Sequence, residues 1–340
     1  MNLQSSVWKK AIIALLMLSG VIVGCTRFAS EKQPTTVSEI RYQSAPGLVS
    51  LPELAQDLGY LEGVQLTYVG SVQGGPQDLL TLVAGDVDIA SAFNGAVVKV
   101  LAANLDIVPV VSSYGSNAEQ NAGFYVLENS PIREPRDFIG KKVAVNTFGA
   151  HYDFVIKDYL ARHGLTAQEI AQVELIMLPP ISAEQALRNQ QVDVAVLTNI
   201  LEKIALKNGG VRRVFADIEL YGPFTAGSYS MRKAFIEQHP ELTQTVVTGI
   251  ARAHDWLQNT PVEEIRARFT QIIEKRNRNE TLALIPYFSS YGVSEYGGLQ
   301  KPQDFKPWID LMVKEGKLKP HQLNPETIFN NQFNAYADSK

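Results

Sequence analysis

Two hydrophobic periods share this chain. Residues 40–43 and 64–69 alternate as half-buried strands do, and between them Leu51, Leu54, Ala55 and Leu58 recur at the spacing of a helix face. Ser50 with Glu53 predicts a capping box for that helix, Pro52 suits its first turn, and Gly59 supplies the stop. After a turn over 70–76, Leu79, Leu80, Leu82 and Val83 predict a second helix. Residues 87–90 then read as a strand, 91–95 as a helix entry and 107–113 as a further strand. The grammar returns with a strand at 142–145, a turn at 146–150, and a helix whose face is Tyr152, Val155, Ile156, Tyr159 and Leu160, stopped by Gly164. Thr166 with Glu169 caps a short helix, 173–178 is a strand, Ser182 with Gln185 caps the next helix, 192–197 is a strand, Thr198 and Asn199 open another helix, and 211–215 closes the set. Repeated strand-turn-helix predicts parallel α/β layers. A long helix over 240–258 follows, with Val246, Val247, Ile250, Ala251, His254 and Leu257 as its apolar stripe, so His254 reads as a packing residue.

Leu82-Val83-Ala84-Gly85-Asp86-Val87-Asp88-Ile89-Ala90 and Leu187-Arg188-Asn189-Gln190-Gln191-Val192-Asp193-Val194-Ala195 are nearly the same sentence written twice. Each ends a helical pattern and opens a short strand led by Val-Asp. One such unit in each half of the chain implies two similar lobes with a cleft between them.

The N-terminus changes the picture. Lys9 and Lys10 precede an apolar run over 11–23, shorter than the roughly 17–25 residues of a membrane span, and Ile22-Val23-Gly24-Cys25 ends it. Small residues before a cysteine resemble the bacterial lipoprotein box. The expectation is a signal peptide over 1–24, lipidation of Cys25, and a flexible polar tether over 25–38. Cys25 is the only cysteine, so no disulfide and no thiolate chemistry are expected.

Composition adds exclusions. With 45% hydrophobic and 19% charged residues and a formal charge of -4, the chain is an ordinary globular one with no basic stripe for nucleic acid. Its five histidines have no metal-ligand spacing, and the G-x-S-x-G, G-x-x-x-x-G-K and H-E-x-x-H strings are absent. Neither a cofactor, a metal nor an enzymatic activity is expected.

The order of Gly59-Tyr60-Leu61-Glu62-Gly63-Val64, Gly85-Asp86-Val87-Asp88-Ile89-Ala90, Asp137-Phe138-Ile139-Gly140-Lys141-Lys142-Val143-Ala144-Val145 and His239-Pro240-Glu241 resembles the substrate-binding proteins of bacterial ABC importers. It is most similar to the branch that binds nitrate, taurine, aliphatic sulfonates and thiamine-precursor pyrimidines. The resemblance implies the type II periplasmic-binding-protein fold: two α/β lobes, 39–125 with 226–340 and 126–225, joined by hinge strands near 124–127 and 224–229. It implies a monomer, lipid-anchored outside the cytoplasm, that hands a small solute to a permease and its ATPase.

In open α/β layers a ligand lies beyond the carboxyl ends of the strands, where helix N-termini offer unpaired N–H groups. That places the candidates at the helix entries. From the first lobe come Ser44, Ala45, Gln73, the pair Gly74 and Gly75, Phe93, Asn94 and Ser113. Thr147, Phe148, His151, Thr198, Asn199 and Tyr221 come from the second. A Ser, Thr or Asn at such a turn also caps its helix, so each carries both readings. The first-lobe turns offer no Lys or Arg beyond Arg41, which favours neutral donors and helix dipoles over salt bridges. The order of expected ligands is a sulfonate or taurine-like anion, then a thiamine-precursor pyrimidine, then nitrate.

Overall fold

The computed structural model describes residues 38–338; the expected signal peptide, Cys25 and all of the expected tether but Ser38 lie outside the described residues. The chain runs β1 (Ser38–Ser44), α1 (Leu51–Asp57), β2 (Val64–Ser71), α2 (Gly75–Ala84), β3 (Ala90–Phe93), α3 (Asn94–Ala102), β4 (Ile107–Ser116) and β5 (Ala122–Leu127). It continues through β6 (Lys142–Val145), α4 (His151–Arg162), α5 (Ala167–Ile170), β7 (Glu174–Met177), α6 (Pro180–Arg188), β8 (Val194–Thr198), α7 (Asn199–Asn208), β9 (Val211–Ala216), α8 (Asp217–Tyr221) and β10 (Phe224–Arg232). It ends on α9 (Lys233–Gln238), α10 (Pro240–Asn259), α11 (Val262–Arg276) and α12 (Lys306–Lys314).

One lobe holds the β1-β2 pair and the sheet β3-β10-β4; the other holds the five-stranded sheet β7-β6-β8-β5-β9. The expected parallel layer is present in β1-β2 and in β7-β6-β8. It is corrected at β10 and β5, which run antiparallel to both of their neighbours. The reason is the path of the chain. It crosses between the sheets at 117–121 and returns at 217–223, just ahead of the expected hinge strands near 124–127 and 224–229, which lie within the sheets as β5 and β10, so the strand after each crossing enters its sheet from the opposite end.

The Val-Asp repeat has one geometry in both lobes. Asp88 donates its N–H to the Arg41 carbonyl at 2.9 Å and accepts the Arg41 N–H on Oδ2 at 3.0 Å. Asp193 does the same with Lys142, at 2.9 and 2.8 Å. Each aspartate thereby pins a helix-to-strand step to the strand beside it, so the step is a structural device. In the first lobe the strand is Ala90–Phe93 in place of the expected 87–90, and Asp88 also takes the guanidiniums of Arg41 and Arg232. The capping boxes Ser50/Glu53 and Thr166/Glu169 form, and Gly59 and Gly164 take φ of 76° and 82°. The helix expected to be capped by Ser182 instead starts at Pro180, whose ring presets the φ of a first turn.

Apolar packing joins the lobes as well as filling them. Phe154 of α4 is buried in the cluster made by α2, α3 and α12, and Ile200 of α7 in the cluster under α1, α10 and α11. Burying a large side chain is worth roughly 1.5–3 kcal/mol, so these two residues favour a closed arrangement.

Candidate functional site

Four helices begin at turns the sequence marked: α2 behind Gly74, α3 behind Phe93, α4 behind Ala150 and α7 behind Thr198. No side chain at these cap positions bonds to its helix. Their first N–H groups thus lack a cap side chain, although Asp78 and Asp153 stand in the first turns of α2 and α4, Asp153 Oδ2 accepting the Gly149 N–H at 2.6 Å, and the first residues of α3 are buried.

These entries meet across the seam between lobes. A methyl group at Gly74 would lie 2.5 Å from Thr147 Cγ2, so the α2 entry and the turn before α4 are in contact. His151 stacks on Phe93 with ring centroids 4.8 Å apart and planes 10° from parallel. Tyr114, Tyr152 and Phe224 complete an aromatic shell around the imidazole. Burial pushes the Tyr152 hydroxyl up to about 12, although its hydrogen bond with Thr198 pulls the other way. Ser113, beside Tyr114 in sequence, is buried, and its Oγ has no partner among the described residues.

Other candidates have their polar groups engaged by the protein. Asn94 donates to the carbonyls of Thr225 and Asp304, both at 3.2 Å, and accepts from Ser228 Oγ at 2.6 Å. Asn199, at φ 37°, donates to Gln120 Oε1 and the Ser290 carbonyl and accepts from Ser289 Oγ. Tyr221 donates to Asp158 Oδ2 at 2.6 Å and packs on Trp308. Ser44 Oγ accepts from Arg278 at 3.3 Å. Ala45 and Gly75 are half-buried, a Cβ on Gly75 would strike Ala92, Gln73 is exposed, and Phe148 is 53% exposed.

Two charged groups at the seam escaped the sequence. Lys99 of α3 reaches Phe154 of α4, its Nζ 5.0 Å from the ring centre, and a Cβ on Gly149 would be 3.0 Å from that nitrogen. Burial pulls the Lys99 ammonium below the ordinary lysine range, with Asp153 opposing. Asp217 is fully buried, with Oδ2 at 3.1 Å from His151 Nε2. Neither residue follows a motif; helix α3 carries Lys99 to the second lobe, and the return crossing delivers Asp217.

Two grooves of about 350 and 480 Å³ lie along the flank formed by Gln303 and Pro307, and of the candidates only Tyr221 lines either. Among the described residues no helix is long and apolar enough to span a membrane, and no cluster of three or more His, Cys, Asp or Glu could hold a metal.

The family model described as NMT1/THI5 like matches residues 53–264, more than half of the chain and all of these helix entries except the Ser44 turn. The chain belongs to the NMT1/THI5-like family. No curated protein matches the sequence. Among solved structures, this family member is similar to the periplasmic aliphatic sulphonate binding protein of Escherichia coli, at 22% identity and a TM-score of 0.61, over 83% of this chain and 88% of that one. The alkanesulfonate-binding protein of Xanthomonas axonopodis pv. citri, solved with MOPS bound, is 21% identical with a TM-score of 0.63, over 83% and 94%. The periplasmic nitrate-binding protein of Synechocystis is 13% identical with a TM-score of 0.63, over 85% and 84%. These likenesses show that this NMT1/THI5-like chain has the periplasmic-binding-protein fold.

Proposed function

We propose that the chain is the solute-binding component of an ABC importer, held to a membrane through Cys25, that closes its two lobes on a small solute and passes it to a permease. The observation that carries this reading is the meeting of uncapped helix entries across the seam, Gly74 on Thr147 and Phe93 on His151. Such a place suits an anion, because helix N-terminal N–H groups and dipole ends stabilise negative charge. Lys99, an exposed residue whose ammonium reaches the Gly149 turn, adds a positive charge there. A sulfonate or taurine-like solute fits this chemistry, and the fold's sulphonate and nitrate binders support it.

The aromatic shell around His151 favours a second reading. Phe93, Tyr114, Tyr152 and Phe224 offer ring faces and edges on which a thiamine-precursor pyrimidine would stack. Both readings are binding without turnover. Thermal-shift measurement with taurine, ethanesulfonate, nitrate and 4-amino-2-methylpyrimidine separates them. A ligand at 100 times its Kd stabilises by about 2.7 kcal/mol, a shift of several degrees. Calorimetry then shows heat that ends at one equivalent; sustained heat from turnover, or no response to any solute of these classes, defeats the proposal.

A further inference from the structure

His151 is a buried residue whose two ring nitrogens stand in different surroundings. Its Nε2 is buried against Asp217 Oδ2 at 3.1 Å, and neither atom has a hydrogen-bond partner in straight geometry among the described residues. The approach is bent, but each is the other's polar neighbour. The second carboxylate oxygen of Asp217 is already committed: Oδ1 accepts from Ser116 Oγ at 2.8 Å and from the Ala122 N–H at 3.0 Å. Ser116 and Ala122 flank the first crossing between lobes, and Asp217 begins the second. The carboxylate therefore cannot swing away without freeing both crossings. The plane of the imidazole is held as well, since Phe93 covers one face in parallel and Phe224 meets it edge-on at 87°. Unlike Nε2, the Nδ1 atom is not among the buried unpaired atoms, so it is the ring nitrogen that keeps accessible surface.

We infer that Asp217 is a positioning residue that keeps the proton of His151 on Nε2, so that Nδ1 meets the solute as a hydrogen-bond acceptor. A carboxylate oxygen has only lone pairs to offer, so the nitrogen facing it must be the one that carries hydrogen. In the neutral ring the remaining nitrogen is then a lone pair. The consequence is chemical. A bare oxyanion has no hydrogen to give Nδ1, whereas a solute that carries an amino or ammonium N–H beside its anionic or aromatic part has one. The preferred class is thus amino-bearing, which divides taurine from ethanesulfonate and a 4-aminopyrimidine from nitrate. This selection rests on the proposed capture of a solute at His151; the proton's place on the ring does not.

The test exploits that separation. Long-range ¹⁵N–¹H correlation spectra of ¹⁵N-histidine protein at about pH 8, with the His151 signals assigned by their loss in His151→Gln, read the tautomer in the absence of any solute. The expected result is hydrogen on Nε2 alone in the wild type and on Nδ1 in Asp217→Asn, whose amide would present N–H where Oδ2 stood. Hydrogen on Nδ1 in the wild type, or on both nitrogens, overturns the inference, and that arm does not depend on Asp217→Asn folding. Titration of the wild type with taurine and with ethanesulfonate should give at least tenfold tighter binding of taurine, a preference that Asp217→Asn loses while Ser116→Ala retains it. Equal affinities overturn the selection. Binding of neither, with hydrogen on Nε2, leaves the tautomer inference standing and removes the sulfonate reading instead.

Discussion

Gly74→Ser separates closure from folding. Gly74 has φ of -172° and ψ of 156°, an extended backbone that any residue adopts, so a serine there introduces no backbone strain. It sits at the cap of α2, where serine is a better residue than glycine by a few tenths of a kcal/mol. The fold should therefore be as stable as before or slightly more so. Its Cβ, however, would lie 2.5 Å from Thr147 Cγ2 and 3.5 Å from Asn146 Nδ2 in the second lobe. Overpacking of this kind costs about 1–3 kcal/mol, and here it is charged to the closed arrangement alone. Closed-state affinity should fall about 5- to 150-fold, read by calorimetry with the solute found in the thermal-shift panel. Urea melts of the solute-free protein should show no loss. Because the offending atom is the Thr147 methyl, Thr147→Ser in the same chain should recover most of the affinity. Unchanged binding in Gly74→Ser, or no recovery in the double variant, would refute the contact as the place where the lobes close.

Three other outcomes are expected. Gln190 holds φ of 56° at the position where the first-lobe repeat uses Gly85 at 87°, so Gln190→Gly should stabilise the protein by about 0.5–1 kcal/mol in urea melts, the left-handed cost of 1–2 kcal/mol being partly offset by glycine's looser unfolded chain. Burial pushes the Asp78 carboxyl up to about 7 against the pull of the Ser91 N–H, so between pH 4 and 7 the folded chain holds a proton that the unfolded one has released. Stability from this group is full below about pH 4 and falls as pH rises through 7. Asp78→Asn should remove that loss and be more stable than wild type by about 1–3 kcal/mol at pH 8, while Asp304, also near 7, keeps part of the slope. Cys25→Ser should release the protein from the membrane fraction; a variant still retained by the lipid-dependent route would exclude the anchor.

What the sequence showed was what neighbours in sequence decide. Capping boxes span three residues and helix-stopping glycines stand alone, and these appear where expected at Ser50, Thr166, Gly59 and Gly164. Periodicity gave most of the strands but neither their pairing nor β5 and β10, which only the resemblance suggested, as hinge strands. Nothing in the alternation of β10 says that it returns from the other lobe to lie antiparallel between β3 and β4. The site divided along the same line. Gly74, Thr147, Phe93 and His151 were visible because a turn between a strand and a helix is a local signal. Asp217 stands 66 positions from His151, and Arg278 stands 234 from Ser44; such pairs are made by topology, which no spacing rule carries. Asn94 and Asn199 show the converse. Both sit at helix entries as a ligand contact would, and both give their amides to carbonyls distant in sequence, because a buried amide must find partners.

The most direct test of the whole account is small-angle scattering of one preparation, first without solute and then at saturation with the solute that calorimetry identifies. A protein that captures its ligand by bringing two lobes together should be more open when empty and contract on binding, because only the closed form lets Thr147 and His151 of one lobe share the solute with Gly74 and Phe93 of the other. A smaller radius of gyration at saturation, reached in Gly74→Ser only at a correspondingly higher solute concentration, is the expected result. An unchanged radius with a tightly bound solute would contradict closure and, with it, the function proposed for this chain.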